Sequence, residues 1–346
     1  MLQHTEGSNS HPNPSRHMLN AKLPTGALVL TLVCTLLSAG TSQTSPPGRL
    51  LDGSPATSAK TSQAAASQGK TPQSDRSPIT RGSELPKVSA LPLPSDDLTG
   101  YHIIVSAGQS NTHLGFGTIP SDFEAHPRVF QLGRHASHNL TLRPGSEPFE
   151  HWTSNGSSIG HAKTFAERYI APLGEDQRVL VIPGGAAGSG LGSGVWMPGG
   201  AFFEDLVFRV QHALWTFPGS EVRAVLWHQG EDDVFNTDYL TDLIDMITVM
   251  RQRFEIQPGE YLDLPFLLGG FSDAWVATNP KFQATEDLIQ SIPFLVPHTA
   301  FVSSDGLGFN QPPGFPADLI HINAAGQREF GHRYFAQLAF ARQNTL

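Results

Sequence analysis

The stretch Val222-Arg-Ala-Val-Leu-Trp-His-Gln-Gly-Glu-Asp-Asp233 passes from an apolar, β-branched run into a polar and acidic segment. Its first half has the composition of a strand, because Val and Trp sit well on a pleated, half-buried surface. Just downstream, Thr237 or Asp238 can cap a helix whose apolar stripe is Leu240, Leu243, Ile244, Ile247, Met250 and Phe254, at three- and four-residue spacings. Phe266-Leu-Leu268 then reads as a second strand. Two strands joined by a crossover helix pair in parallel, and a parallel sheet needs apolar cover on both faces.

The same alternation extends in both directions. Upstream lie the strand Ile103-Ile-Val-Ser106, a helix from Gly160 to Ala171 with Ala162, Phe165, Ala166 and Tyr169 on one face, the strand Val179-Leu-Val-Ile182, and a helix from Phe202 to Phe217. Downstream lie the strand Ala300-Phe-Val-Ser303 and a C-terminal helix with Phe330, Tyr334 and Leu338 on one stripe. The pattern predicts an α/β fold with a central five-stranded parallel sheet. Reactive residues are then expected at the carboxyl ends of the strands.

The chain has 346 residues, with 34 Gly and 27 Pro, too many for a helical bundle or coiled coil. Of its 22 Lys/Arg and 31 Asp/Glu, residues 1–100 hold 8 and 6, leaving 14 against 25 in residues 101–346, a formal net of −11. Such a surface repels phosphate backbones and argues against a nucleic-acid partner. A single cysteine, Cys34, excludes a disulfide framework and a thiolate metal cluster.

Cys34 falls within the apolar run Gly26-Ala-Leu-Val-Leu-Thr-Leu-Val-Cys-Thr-Leu-Leu-Ser-Ala-Gly40. A bilayer-spanning helix needs ~20 apolar residues, more than this run supplies. With Lys22 before it and Ser38-Ala39-Gly40 after it, residues 1–40 read as a signal peptide, Met18 being a possible true start. A secreted or periplasmic location follows. A lipid anchor is disfavoured because Val33 occupies the place of the small residue such a signal puts before its cysteine. Residues 41–98 are rich in Ser, Thr, Ala, Pro, Gly and Gln and read as a disordered linker, leaving 99–346 as one catalytic-size domain.

Four segments carry candidate chemistry. The first strand runs into Ala107-Gly-Gln-Ser-Asn-Thr-His113, where Ser110 in a tight turn is a candidate nucleophile and, taken alone, equally a polar turn residue. The second runs into Pro183-Gly-Gly-Ala-Ala-Gly-Ser-Gly-Leu-Gly-Ser-Gly194, whose backbone N–H groups suit an oxyanion hole; its spacing matches no phosphate-binding fingerprint. The third delivers Gln229 and Glu231 at the edge of the core, with Asp232 and Asp233 as a solvated pair and His228 as a packing residue. The fourth is Asp318-Leu-Ile-His-Ile-Asn323, in which His321 can act as general base and Asp318, three residues earlier in a turn, can orient it. Metal ligation is the rival use of His321, but no His-Glu-x-x-His occurs.

In this order the four segments resemble the signature blocks of the SGNH (GDSL-type) hydrolase superfamily. The resemblance is to the carbohydrate acetylesterases of its sialate O-acetylesterase-like branch, which includes acetylxylan esterases. Gly108-Gln-Ser-Asn111, Trp227-His-Gln-Gly-Glu231 and Asp318-Leu-Ile-His321 match three blocks; Ile159-Gly-His-Ala-Lys-Thr-Phe-Ala166 and Trp196 are weaker echoes. The resemblance spans about residues 101–340 and implies a three-layer α/β/α, flavodoxin-like fold. It implies Ser110 as nucleophile, His321 as base and then acid, and Asp318 as the orienting acid. The oxyanion hole it implies is the N–H of Ser110, the N–H of Gly188 and the side-chain amide of Gln229. Gln109, Asn111, Glu231 and Trp196 would support the site or touch substrate. Where the family has Gly-Gly-Thr this chain has Gly188-Ser189-Gly190, so Gly185 is a rival for Gly188.

The expected activity is hydrolysis of O-acetyl esters on a carbohydrate through an acetyl-serine, with no metal or organic cofactor. A lipase or thioesterase is the alternative enzyme. A glycan-binding module that stacks sugars on Trp196, Trp227 and Trp275 is the non-catalytic alternative. Acetyl transfer to another sugar would use the same machinery. Substrate contacts are expected from loops 112–158 and 272–280.

Overall fold

The computed structural model describes residues 100–346 except 154–155 and 256–258, so the leader and linker read at 1–98 lie outside the described residues. In chain order the elements are β1 (His102–Gly108), β2 (Val129–Leu132), β3 (Leu142–Pro144), α1 (Ala162–Ile170), β4 (Val179–Pro183), α2 (Ala201–Thr216) and β5 (Glu221–His228). They continue with α3 (Tyr239–Phe254), β6 (Phe266–Gly269), α4 (Asp273–Val276), α5 (Pro280–Ser291), β7 (Thr299–Val302), β8 (Phe309–Asn310), β9 (Asp318–Ile322) and α6 (Ala324–Gln343).

The central sheet has seven strands in the order β3-β2-β4-β1-β5-β6-β7, two more than the five expected. The five anticipated strands form its contiguous parallel part, β4-β1-β5-β6-β7. The additions are β2, parallel to β4, and β3, antiparallel to β2 at the sheet edge. Both are short, and β3 ends in Pro144, which lacks a ladder donor and is tolerated only at an edge.

Along β1 the side chains alternate between two cores. Ile103, Val105 and Ala107 face one core with Phe203 and Leu206 of α2 and Leu243, Ile247 and Met250 of α3. Ile104 faces the other with Phe165 of α1 and Phe330, Tyr334 and Leu338 of α6. This is a three-layer α/β/α arrangement in which the stripes read from the sequence are buried.

From β1 the strand order runs in opposite senses, through β4 on one side and β5 on the other. The carboxyl end of β1 therefore lies at a switch point, where the chain leaves adjacent strands in diverging directions and opens a crevice. Tyrosines from both helical layers fix the end of β5: Tyr334 Oη donates to Trp227 O and Tyr239 Oη to Gln229 O, each at 2.9 Å.

Candidate active site

β1 ends at Gly108, whose φ of +123° and close approach to His228 O exclude a side chain: a Cβ would lie 2.1 Å from that oxygen. Gln109 N donates to the same His228 carbonyl (2.8 Å), and the chain turns into a single 3-10 turn, Ser110–Thr112. Ser110 heads that turn, 4% exposed. Its hydroxyl and its own N–H have no hydrogen-bond partner among the described residues, whereas its carbonyl accepts from His113 N and Leu114 N.

Asp318 and His321 lie on β9 rather than in the turn expected from sequence. In a regular strand residues three apart point to opposite faces. Here the pairing with β8 jumps: Phe309 pairs with Ile322, while the next residue, Asn310, pairs with Asp318. Residues 319–321 form a bulge that turns the two side chains toward each other, and His321 Nδ1 lies 2.7 Å from Asp318 Oδ2. The carboxylate can only accept, so the proton sits on Nδ1 and the Nε2 lone pair is free to take another.

Asn111, the residue after Ser110, satisfies the bulge. Its Nδ2 donates to Ile320 O (2.9 Å) and its Oδ1 accepts from Ile322 N (2.9 Å), bracketing His321. The second Nδ2 proton goes to Glu231 Oε1 (2.6 Å), which also lies 3.2 Å from His228 Nε2. Burial pushes the Glu231 carboxyl up, but the neighbouring His228 ring and the hydrogen bond from Asn111 outweigh it and hold it below its usual value. A chain of polar contacts thus runs from the end of β5 through Glu231 and Asn111 to the strand bearing His321.

The glycine-rich segment after β4 supplies the other wall. Gly185 N donates to His151 Nδ1 (2.9 Å), so the N–H of that rival donor is already engaged. Gly188 has φ +65° and no partner for its N–H among the described residues, and a Cβ there would meet nothing within 4 Å. Asp233, expected as half of a solvated pair, is 3% exposed instead. Its carboxylate accepts from Leu191 N (2.7 Å), Gly192 N (2.8 Å) and Gln229 Nε2 (2.5 Å), tying the glycine segment to the end of β5. Gln229 Nε2 makes only long approaches to Gln109 Oε1 (3.3 Å) and Ser189 O (3.5 Å). Asp233 decides which end of the Gln229 amide carries N–H.

Gln109 is buried, and its Oε1 faces Gly230 N and Asp232 N at 3.4 and 3.3 Å, so it serves the turn and not a ligand. Trp196 is 0% exposed and donates from Nε1 to Ser189 Oγ (2.7 Å), and Trp227 is 1% exposed; neither offers a face to a sugar, which corrects that expectation. Trp275 has its ring stacked on Phe282 at 4.0 Å.

Sequence reasoning missed His113 and His151, which stack at 4.8 Å behind the glycine segment. His113 Nε2 lies 2.9 Å from Thr153 O and 3.0 Å from Thr153 Oγ1, and that hydroxyl accepts from Ala187 N (2.7 Å). Burial lowers His113 to about 4 and His161 to about 3, and it holds His151 well below the ordinary imidazole range.

These three rings stay neutral in the folded protein at pH values where they bind a proton in the unfolded chain. Their stabilisation is complete above ~6.5, the unfolded value, and is lost as the pH falls toward their folded values. Glu147 and Glu286, both raised by burial to about 7, act in the opposite sense. Below pH 6.5 the unfolded chain holds extra protons at three histidines and the folded protein at two carboxyls, so the histidines set the direction. Stability is expected to fall on acidification between pH 6.5 and 4.5. Urea midpoints measured at several pH values check this; a flat profile down to pH 4.5 would contradict it.

The family described as carbohydrate esterase, sialic acid-specific acetylesterase matches residues 100–339. A probable 9-O-acetyl-N-acetylneuraminic acid deacetylase from Escherichia coli (strain K12) is 24% identical, with 52% of this chain and 70% of that protein covered. The crystal structure of NanS superposes with a TM-score of 0.60 at 19% identity, covering 70% of this chain and 98% of that one. A protein from Arabidopsis thaliana gives a TM-score of 0.56 at 17% identity, covering 72% and 100%. These two structures share the fold. With the family matched from the start of β1 into α6, the chain belongs to the sialic acid-specific acetylesterase family of carbohydrate esterases and is a carboxylic ester hydrolase.

Proposed function

We propose that the protein removes O-acetyl groups from a carbohydrate through an acetyl-serine intermediate. The observation that carries the reading is the Asn111 bracket: the residue next to Ser110 holds, on both sides of His321, the bulge in which His321 meets Asp318. Nucleophile and base are thereby fixed to each other through one side chain.

In the first half-reaction Ser110 Oγ attacks the acetyl carbonyl carbon and His321 Nε2 takes the hydroxyl proton. The bond from that carbon to the sugar oxygen breaks, and the proton passes from Nε2 to the departing oxygen. In the second, His321 takes a proton from water, the resulting hydroxide attacks the acetyl carbon, and acetate leaves as Ser110 Oγ recovers its proton. Asp318 accepts from Nδ1–H throughout and stabilises the imidazolium. The Ser110 and Gly188 N–H groups, both without partners in the fold, are the backbone donors to the oxyanion. Gln229 is the third donor, using the amide proton that Asp233 does not hold. The catalytic residues are Ser110, Asp318 and His321, with no metal or cofactor in the sequence of steps. The relative's acetylated sialic acid makes a sialate the first substrate to try, and residues 1–40 are a leader removed on export.

Acetate release from acetylated sialic acid, xylan and pectin, set against p-nitrophenyl esters of increasing chain length, tests the reading. A preference for acetyl is expected, and Gln229→Ala is expected to lower turnover by ~10²–10³, the usual effect of removing one oxyanion donor. A preference for long acyl chains would instead indicate a lipase.

A further inference from the structure

Trp152 is the exposed aromatic that the fold holds against the glycine wall of the site. Its main chain runs beside the extension of β4, with Trp152 N donating to Gly185 O (2.9 Å). Ala186 N donates in turn to Gly108 O (2.9 Å), so Trp152 lies about two strand spacings, ~10 Å, to the side of the turn that carries Ser110. The next residue, Thr153, is bonded both to Ala187 N and to His113, which fixes this segment one residue from Gly188.

The indole is 41% exposed, yet it is not loose. The Arg134 guanidinium lies over the ring at 5.1 Å and is itself held by Asp205 (2.6 Å) and Pro183 O (2.8 Å). Phe202 packs against it at 4.9 Å in an edge-on geometry. Arg134 and Phe202 hold the ring in place, and 41% of the residue stays open to solvent. Trp215 lacks this placement. It is 85% exposed and lies at the C-terminal end of α2, which returns the chain to the amino ends of the strands, away from the site.

We propose that the solvent-exposed indole of Trp152 is a stacking platform for a pyranose ring of the carbohydrate bearing the scissile ester. This assignment rests on the esterase reading. A pyranose has an apolar C–H face and a rim of hydroxyls, and a rigid aromatic face buries the former while leaving the latter in water. One strand spacing beyond the oxyanion wall leaves room for the acetyl group between the ring and Ser110.

The test uses the full chain with Trp152→Ala and Trp152→Phe. The substrates are p-nitrophenyl acetate and whichever of acetylated xylobiose and 9-O-acetyl-N-acetylneuraminate the unmodified protein hydrolyses faster. Trp152→Ala is expected to raise KM for the carbohydrate about tenfold while p-nitrophenyl acetate cleavage stays within about twofold, and Trp152→Phe to fall between. Equal losses on both substrates, or no change on either, would overturn the platform. Calorimetric titration of xylobiose and N-acetylneuraminate into Ser110→Ala, with and without Trp152→Ala, reads the platform independently of hydrolysis. Binding that ignores Trp152 counts against the platform alone, whereas absence of hydrolysis by the unmodified protein counts against the esterase reading.

Discussion

Ser110→Ala is expected to reduce acetate release from an acetylated sugar by about 10⁶ in turnover, as when the nucleophile of a serine hydrolase is removed. The size follows from what the residue alone supplies. Its Oγ forms the bond that splits one hard hydrolysis into two easier steps. The variant should fold normally: Ser110 Oγ has no partner to lose, and the turn is held by main-chain bonds from Thr112, His113 and Leu114. Equal melting temperatures with activity at the uncatalysed level are the expected pair of results. A variant that kept more than about one per cent of turnover would leave Ser110 without the role given to it.

Asp318→Asn is the second large effect, on the order of 10³–10⁴ in turnover. Asp318 Oδ2 accepts the Nδ1 proton of His321 at 2.7 Å, which leaves Nε2 as the base. An amide turned with its N–H toward Nδ1 accepts nothing from the ring, and in that orientation the proton moves to Nε2, where it blocks proton transfer from Ser110. Both side chains are partly open to solvent, His321 at 21% and Asp318 at 31%, so water competes for the Nδ1 proton and keeps the loss toward the lower end. KM should change little, because the carboxylate faces the base and not the substrate. A variant of full activity would mean that the 2.7 Å contact does not set the tautomer.

The parallel core was legible because its strands are β-branched runs and its helices carry long apolar stripes. Ile103 to Val105, and Leu243 with Ile247 and Met250, are buried where period 2 and period 3.6 put them. The edge was not: β2 is four residues long, and β3 carries a proline. Helix α5 was also passed over; it starts at Pro280, capped by the Asn279 side chain, and its interior mixes polar and apolar residues with no strong stripe.

Within the site, what sequence marked was the chemistry carried by block residues, and what it missed was held by contacts distant in the chain. Asp233 looks like one of two surface acids until Leu191 N and Gly192 N, some forty residues away, are seen to donate to it. His113 acquires its role from Thr153, and Trp152 acquires its position from Gly185. Trp196 misled for the same reason, since an indole next to a glycine loop reads as a sugar platform, and only the fold turns it inward to Ser189. The bulge in β9 is likewise set by Asn111 and β8, not by the local sequence Asp318-Leu-Ile-His321.

The central claim is that Ser110 carries the acyl group. Reaction of the unmodified protein with a fluorophosphonate, followed by peptide mass spectrometry, measures it most directly. One adduct per chain on Ser110, prevented by Ser110→Ala, is the predicted result. No adduct, or an adduct on a different residue, would contradict the account.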